Sequence, residues 1–307
     1  MIRPLVALLL ILLASGFSAP AQGTKRQKKP PAPFQWVNAL KPTQEKLPGL
    51  RHATFRSPSM KVEIGYCLYL PPGYDQPAHK ETRFPVIYLL HGGRPGNEGK
   101  LVHLAEFIDK AMRAGQIPPT IYVFNNGGPV SHYDYPGKQN ARGKTALVKE
   151  LIPHIDKTYR TIATRAGRSI EGYSQGGRGT LRIALEYPEL FHSASAGSAG
   201  VQHEKRISEN KGHESDKVVF APGDDAWTLA RNYAKNKKSE FSLRLLLYTG
   251  NSQKDFNYEA NLEYSKFLKS IRVPHGTLLI PDVSHSTKQA YQKRAETLLR
   301  FHAEGRK

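Results

Sequence analysis

The chain has 307 residues, 39% of them apolar, and a net charge of +19. It can bury the core of a full-sized domain, and this composition excludes a disordered tail or a collagen-like rod. Its single cysteine, Cys67, excludes an internal disulfide and a multi-cysteine zinc site, so stability must come from packing.

Residues 1–21 combine Arg3, an apolar run from Leu5 to Leu13 and the small-x-small triplet Ala19-Pro20-Ala21. This is the pattern of a cleaved secretory signal, and an apolar run of about nine residues is well short of the roughly 20 needed to span a bilayer. The expectation is a secreted or periplasmic protein without stable membrane insertion. Lys25 to Pro33 is basic and proline-rich, which predicts a solvated extension over residues 22–50, followed by one domain over 51–307. Most of the positive charge lies on that domain and favours anionic partners such as acidic glycans.

From residue 62 strand-like and helical patterns alternate. Val62 to Leu70 is rich in β formers and stops at Pro71-Pro72-Gly73; Cys67 within it reads as a packed core thiol. Pro85 to Leu90 and Thr120 to Phe124 are short continuous apolar runs, as buried parallel strands should be. Leu101 to Ala114 and Thr145 to Ile155 have helical spacing, and a short strand at Ser169-Ile170-Glu171 precedes a helix over Thr180 to Glu186. Asp224 and Asp225 read as the start of a helix over Ala226 to Tyr233. Two strands follow, Leu243 to Tyr248 and Thr277 to Ile280, then a last helix over about Lys288 to His302. The class is α/β, a mostly parallel sheet covered by helices on both faces, with chemistry expected in the loops after residues 90, 124, 171, 248 and 280.

Gly172-Tyr173-Ser174-Gln175-Gly176 fits Gly-x-Ser-x-Gly and lies between a strand and a helix. There the pattern makes a sharp turn that lifts the serine out of the sheet, while the flanking glycines remove colliding Cβ atoms. A serine hydroxyl is a weak nucleophile, so an imidazole must take its proton and a carboxylate must orient that imidazole. In chains with this turn the acid and then the histidine follow the serine. His285 lies in the loop after the strand Thr277 to Ile280; His192, His203 and His213 come too early, His275 precedes its strand, and His302 ends a helix. Asp255, in the loop after Leu243 to Tyr248, is the candidate acid, ahead of Asp224, Asp225, Asp282 and Glu263. The amide of Gln175 and that of Gly93, with Gly92 as its alternative, are candidate oxyanion donors. His91, directly before those glycines, reads chiefly as ordering the loop and otherwise as a substrate contact. Tyr133 and Tyr135 are candidates for an aromatic substrate wall.

The runs Leu68 to Asp75, Phe84 to Gly93, Glu150 to Asp156 and Gly172 to Gly177 resemble, in order, those of the esterase D family, which includes feruloyl and acetyl carbohydrate esterases, S-formylglutathione hydrolases and mycolyltransferases. The resemblance implies an α/β-hydrolase fold, no cofactor and no metal, and a triad of Ser174, Asp255 and His285. Three features depart from that pattern: Glu171 stands where a small residue is usual, Ser286 and Thr287 replace an aromatic after His285, and the acid loop Gly250 to Asp255 is longer. A carboxylate at 171 needs a hydrogen-bonding partner, such as an arginine, or a raised pKa. The implied function is an exported serine esterase acting on a small-molecule or polysaccharide ester, with an anionic polymer favoured by the charge. An acyltransferase using the same acyl-enzyme and a non-catalytic carbohydrate-binding relative are the alternatives. Nucleic-acid binding has only charge in its favour and no recognisable module.

Overall fold

The computed structural model describes residues 33–306 apart from 43, 45, 46, 237–240, 252 and 253. The signal-like segment over 1–21 lies outside the described residues. Strands β1 (Leu50–Arg56), β2 (Glu63–Tyr69), β3 (Val86–Leu90), β4 (Ile121–Asn125), β5 (Arg168–Tyr173), β6 (Ser193–Gly197), β9 (Arg244–Gly250) and β10 (Gly276–Ile280) form one sheet in the order β1-β2-β4-β3-β5-β6-β9-β10. β1 and β2 pair antiparallel, as do β2 and β4, and every later pair is parallel. A small ribbon of β7 (His213–Ser215) and β8 (Val218–Val219) stands apart from it.

Period-two alternation sorts the strand side chains into two cores. Tyr66, Leu68, Val86, Tyr88, Leu90, Ile121, Val123, Leu245 and Leu247 face one side. There they meet a helical run built of α2 (Gly143–Thr145), a π segment (Ala146–Leu151) and α3 (Ile152–Thr158), together with α4 (Gln175–Glu186), α6 (Ala226–Lys235) and α7 (Tyr258–Ser270). Cys67, Ile87, Leu89, Tyr122, Phe124, Leu246 and Tyr248 face the other, against α1 (Ala105–Arg113) and α8 (Thr287–Ala303). The predicted sheet with helices on both faces is therefore observed. Helix α5 (Val201–Glu209) follows β6 and carries Glu204 into a charged cluster.

Three expectations change. The packed unit begins at Phe34 rather than at residue 51, because Trp36 is buried in the core and its carbonyl accepts from the Gly65 amide at 2.7 Å. Helix α4 starts at Gln175, well before Thr180, since Gly176, Gly177 and Gly179 are all helical despite their low propensity. The carboxylate of Glu171 is met by two tyrosines and a histidine rather than an arginine: the Tyr248 and Tyr291 hydroxyls donate to Oε1 at 3.0 and 2.8 Å, and His302 Nε2 lies 3.3 Å from Oε2.

The glycines at the β5–α4 turn are steric requirements. A Cβ at Gly176 would lie 1.9 Å from the Leu90 carbonyl oxygen, and one at Gly172 would lie 2.3 Å from the Gly176 oxygen. Both obstacles are backbone and neither can swing away. Gly176→Ala should lose about 3 kcal/mol or more, or fail to fold. Gly99→Ala, with no neighbour nearer than 3.4 Å, should change little. Thermal unfolding of the two variants side by side checks this, and equal behaviour would contradict the close approach.

Candidate active site

Ser174 sits at the end of β5 with φ 59° and ψ −113°, a strained conformation for a residue with a side chain. The tight strand-to-helix turn imposes it and places Ser174 as the N-cap of α4. The positive end of that helix dipole therefore faces the position of its hydroxyl. Gly92 lies against this turn, so that a Cβ there would be 3.3 Å from Ser174 Cβ and 4.0 Å from its Oγ.

Asp255 and His285 arrive from the loops after β9 and β10. His285 Nδ1 donates to Asp255 Oδ1 at 2.9 Å, and the Ser198 hydroxyl donates to the same oxygen at 2.6 Å. Ser198 Oγ is also 2.9 Å from His285 Nδ1, so the imidazole N–H is shared between hydroxyl and carboxylate. The other carboxylate oxygen accepts from the Thr249 hydroxyl at 3.0 Å and the Gly250 amide at 3.2 Å. Burial alone would push this carboxyl up, but the donors from His285, Ser198 and the Asn257 amide outweigh it and hold the pKa at about 2. Asp255 is thus an ionised, buried orienter, and His285 is anchored through Nδ1 with Nε2 left for exchange. Tyr173, the residue before Ser174, has its ring centroid 5.1 Å from that of His285, which puts serine and imidazole at the same sheet edge. Among the described residues Ser174 Oγ has no hydrogen-bond partner; such contacts often tighten only around substrate.

Ser198 escapes sequence reasoning. It follows β6, whose Ser-Ala-Ser-Ala-Gly sequence has neither bulk nor β-branching and reads as a turn. The only available signal is position, one strand after the β5–α4 turn.

The loop after β3 supplies the candidate oxyanion donors. Gly93 takes φ +77°, its carbonyl accepts from the Ser131 hydroxyl at 2.7 Å, and Lys100 Nζ donates to the Gly92 and Pro95 carbonyls at 3.2 and 3.1 Å. Among the described residues no acceptor meets the amide of Gly93 or that of Gln175, so both remain available to a developing oxyanion. The side chain of Gln175 points elsewhere, with Oε1 accepting from Arg178 at 3.1 Å.

His91 and Tyr133 are not substrate contacts. Each is only 1% exposed. His91 Nε2 accepts from the Gly127 amide at 3.0 Å, so its Nδ1–H turns to the Gly92 carbonyl at 3.2 Å. His132 Nε2 donates to the His91 carbonyl at 2.9 Å, and the two rings lie 4.5 Å apart. The pair stitches the β3 and β4 loops together. Tyr133 is enclosed by guanidinium groups, with Arg182 3.9 Å above its ring, in a buried cluster in which Arg178 and Arg182 are paired with Glu204, Glu214 and Asp224. Tyr135, half-buried, packs on Phe220 and donates to the Lys217 carbonyl at 3.0 Å. Its contacts belong to the same packing around Phe220. Besides Tyr173, a second aromatic ring lies against His285, that of Phe256, at 4.0 Å and 36°. It comes from the acid loop, where the position after His285 has only Ser286.

Burial holds the His132 pKa down at about 4, below the ordinary value near 6.5. The unfolded chain then binds more protons between those values, so stability is full above about pH 6.5 and falls as pH drops toward 4. His132→Asn suits the positive φ of that residue. It should flatten the loss of stability between pH 6.5 and 4.5 by about 1 kcal/mol per pH unit, read from urea unfolding. An unchanged slope would contradict a buried neutral imidazole.

Residues 57–277 match the Esterase family, described as "Putative esterase". An esterase of Mycobacterium tuberculosis is 26% identical over 260 residues, covering 76% of this chain and 55% of that protein. An endo-1,4-beta-xylanase/feruloyl esterase of Xylanibacter ruminicola is 33% identical over 167 residues, 53% of this chain and 23% of that one. The chain thus spans about half, or less, of the length of these curated relatives. An S-formylglutathione hydrolase from Agrobacterium tumefaciens superposes with a TM-score of 0.65 at 21% identity, covering 84% of this chain and 95% of that one, which shows a common fold. The fold is that of the α/β-hydrolases, and with 57–277 matched the chain belongs to the Esterase family.

Proposed function

We propose that the protein is an exported serine esterase that hydrolyses carboxylic esters of carbohydrates, of the feruloyl or acetyl type, through an acyl-enzyme on Ser174. The observation that carries this reading is the strained Ser174 turn at the sheet edge that also bears the His285–Asp255 pair at 2.9 Å. The family supports ester chemistry, and the feruloyl esterase among the relatives supports the acyl class. Export rests on the signal-like pattern of residues 1–21.

In this mechanism His285 Nε2 takes the Ser174 proton as Oγ attacks the ester carbonyl, and Asp255 stabilises the imidazolium. The Gln175 and Gly93 amides receive the negative oxygen. As the tetrahedral centre collapses, His285 returns the proton to the departing alcohol, and water repeats the sequence to release the acid.

A panel of nitrophenyl and feruloyl esters should give a pre-steady-state burst, one acyl group per enzyme. Ser174→Ala should abolish the burst and lower kcat by about 1000-fold or more. Activity that survives Ser174→Ala unchanged would place the chemistry elsewhere.

A further inference from the structure

Phe256 is 72% exposed, far more than Leu279 and Val37, which at 42% and 39% are the next most exposed large apolar side chains among the described residues. Its exposure is not that of a stray surface residue, because the ring also lies 4.0 Å from the imidazole of His285. It directly follows Asp255, whose carboxylate is fixed by five donors from His285, Ser198, Asn257, Thr249 and Gly250, so the backbone that carries the ring is anchored. An apolar ring held on the proton-transferring side chain with most of its surface open is a platform for part of the substrate.

Chemistry decides which part. When the tetrahedral intermediate collapses, the electron pair on the oxyanion re-forms the carbonyl, the bond from carbon to the alcohol oxygen breaks, and the proton on His285 Nε2 moves to that oxygen. The alcohol must therefore leave across His285, while the oxyanion lies away from it at the Gln175 and Gly93 amides. A ring packed on His285 borders the alcohol half of the ester, not the acyl half.

We propose that Phe256 binds the leaving alcohol and selects esters whose alcohol is a sugar ring, its C–H face laid on the exposed phenyl. This rests on the serine-esterase reading above. It adds that discrimination lies in the alcohol, and that a polymer chain approaches from the acid-loop side. The interaction is apolar and flat, so an aryl alcohol mimics it and methanol does not.

The test uses the full chain with methyl, benzyl and glucosyl esters of one acid, comparing wild type with Phe256→Ala and Phe256→Leu. Phe256→Ala should lower kcat/KM for the benzyl and glucosyl esters about ten-fold more than for the methyl ester, mainly through KM, with Phe256→Leu in between. The acyl-enzyme formed from the methyl ester should also partition less to added benzyl alcohol than to methanol in the alanine variant. An equal fall for all three esters would overturn the proposal and leave Phe256 as a support for His285. So would selectivity that follows the acid rather than the alcohol. Wild type inert toward every ester would overturn the esterase reading as well, which separates the two failures.

Discussion

The site depends on how closely two backbones can approach. Strand β5 must end beside β3, turn within one residue and enter α4, and the space left between Gly176 and the Leu90 carbonyl admits no side chain. That crowding forces Ser174 into positive φ, and the sheet around it sustains the strain because β5 is central, bonded to β3 and β6 on either side. The same approach brings Gly92 against Ser174 and aligns the first amide of α4 with it. The positions of the proposed nucleophile, the helix dipole and one proposed oxyanion donor thus follow from a single steric constraint.

Around that constraint several buried carboxylates and guanidinium groups are met by partners of opposite charge or by hydrogen-bond donors. Asp255 stays ionised because five donors surround it. Beneath the sheet Glu171 is held between Tyr248, Tyr291 and His302, and beside α4 Arg178 and Arg182 neutralise Glu204, Glu214 and Asp224. Such groups are costly to bury alone and contribute little net stability when paired, so their consequence is specificity of arrangement. The Arg178 link to Gln175 and the His91–His132 pair tie down the two segments that carry the proposed oxyanion amides.

Much of this was readable from the residues. Val86–Leu90 and Ile121–Asn125 are continuous apolar runs because both faces of a central parallel strand are covered, and their edges point to the loops that hold chemistry. Ser174, His285 and Asp255 follow strands in the fold as the sequence reading placed them, and their roles belong to the proposal. Ser198 and β6 were not readable in this way, since a strand of Ser, Ala and Gly carries no hydrophobic signal and owes its state to pairing with β5 and β9 on either side. Tyr133 misled for the converse reason. An aromatic in a loop after a strand reads as exposed, yet α4 carries Arg178 and Arg182 into contact with it, and that contact is set by tertiary packing alone. Phe256 lay beside the candidate acid in the sequence, but only the fold reveals that its ring meets His285.

The most direct measurement is covalent. A fluorophosphonate reacts with a serine whose proton is being removed, and peptide mapping by mass spectrometry locates the adduct. One adduct per chain on Ser174 is expected, with labelling slowed by about 100-fold or more in His285→Ala. Labelling at another residue, or at Ser174 with a rate indifferent to His285, would contradict the account.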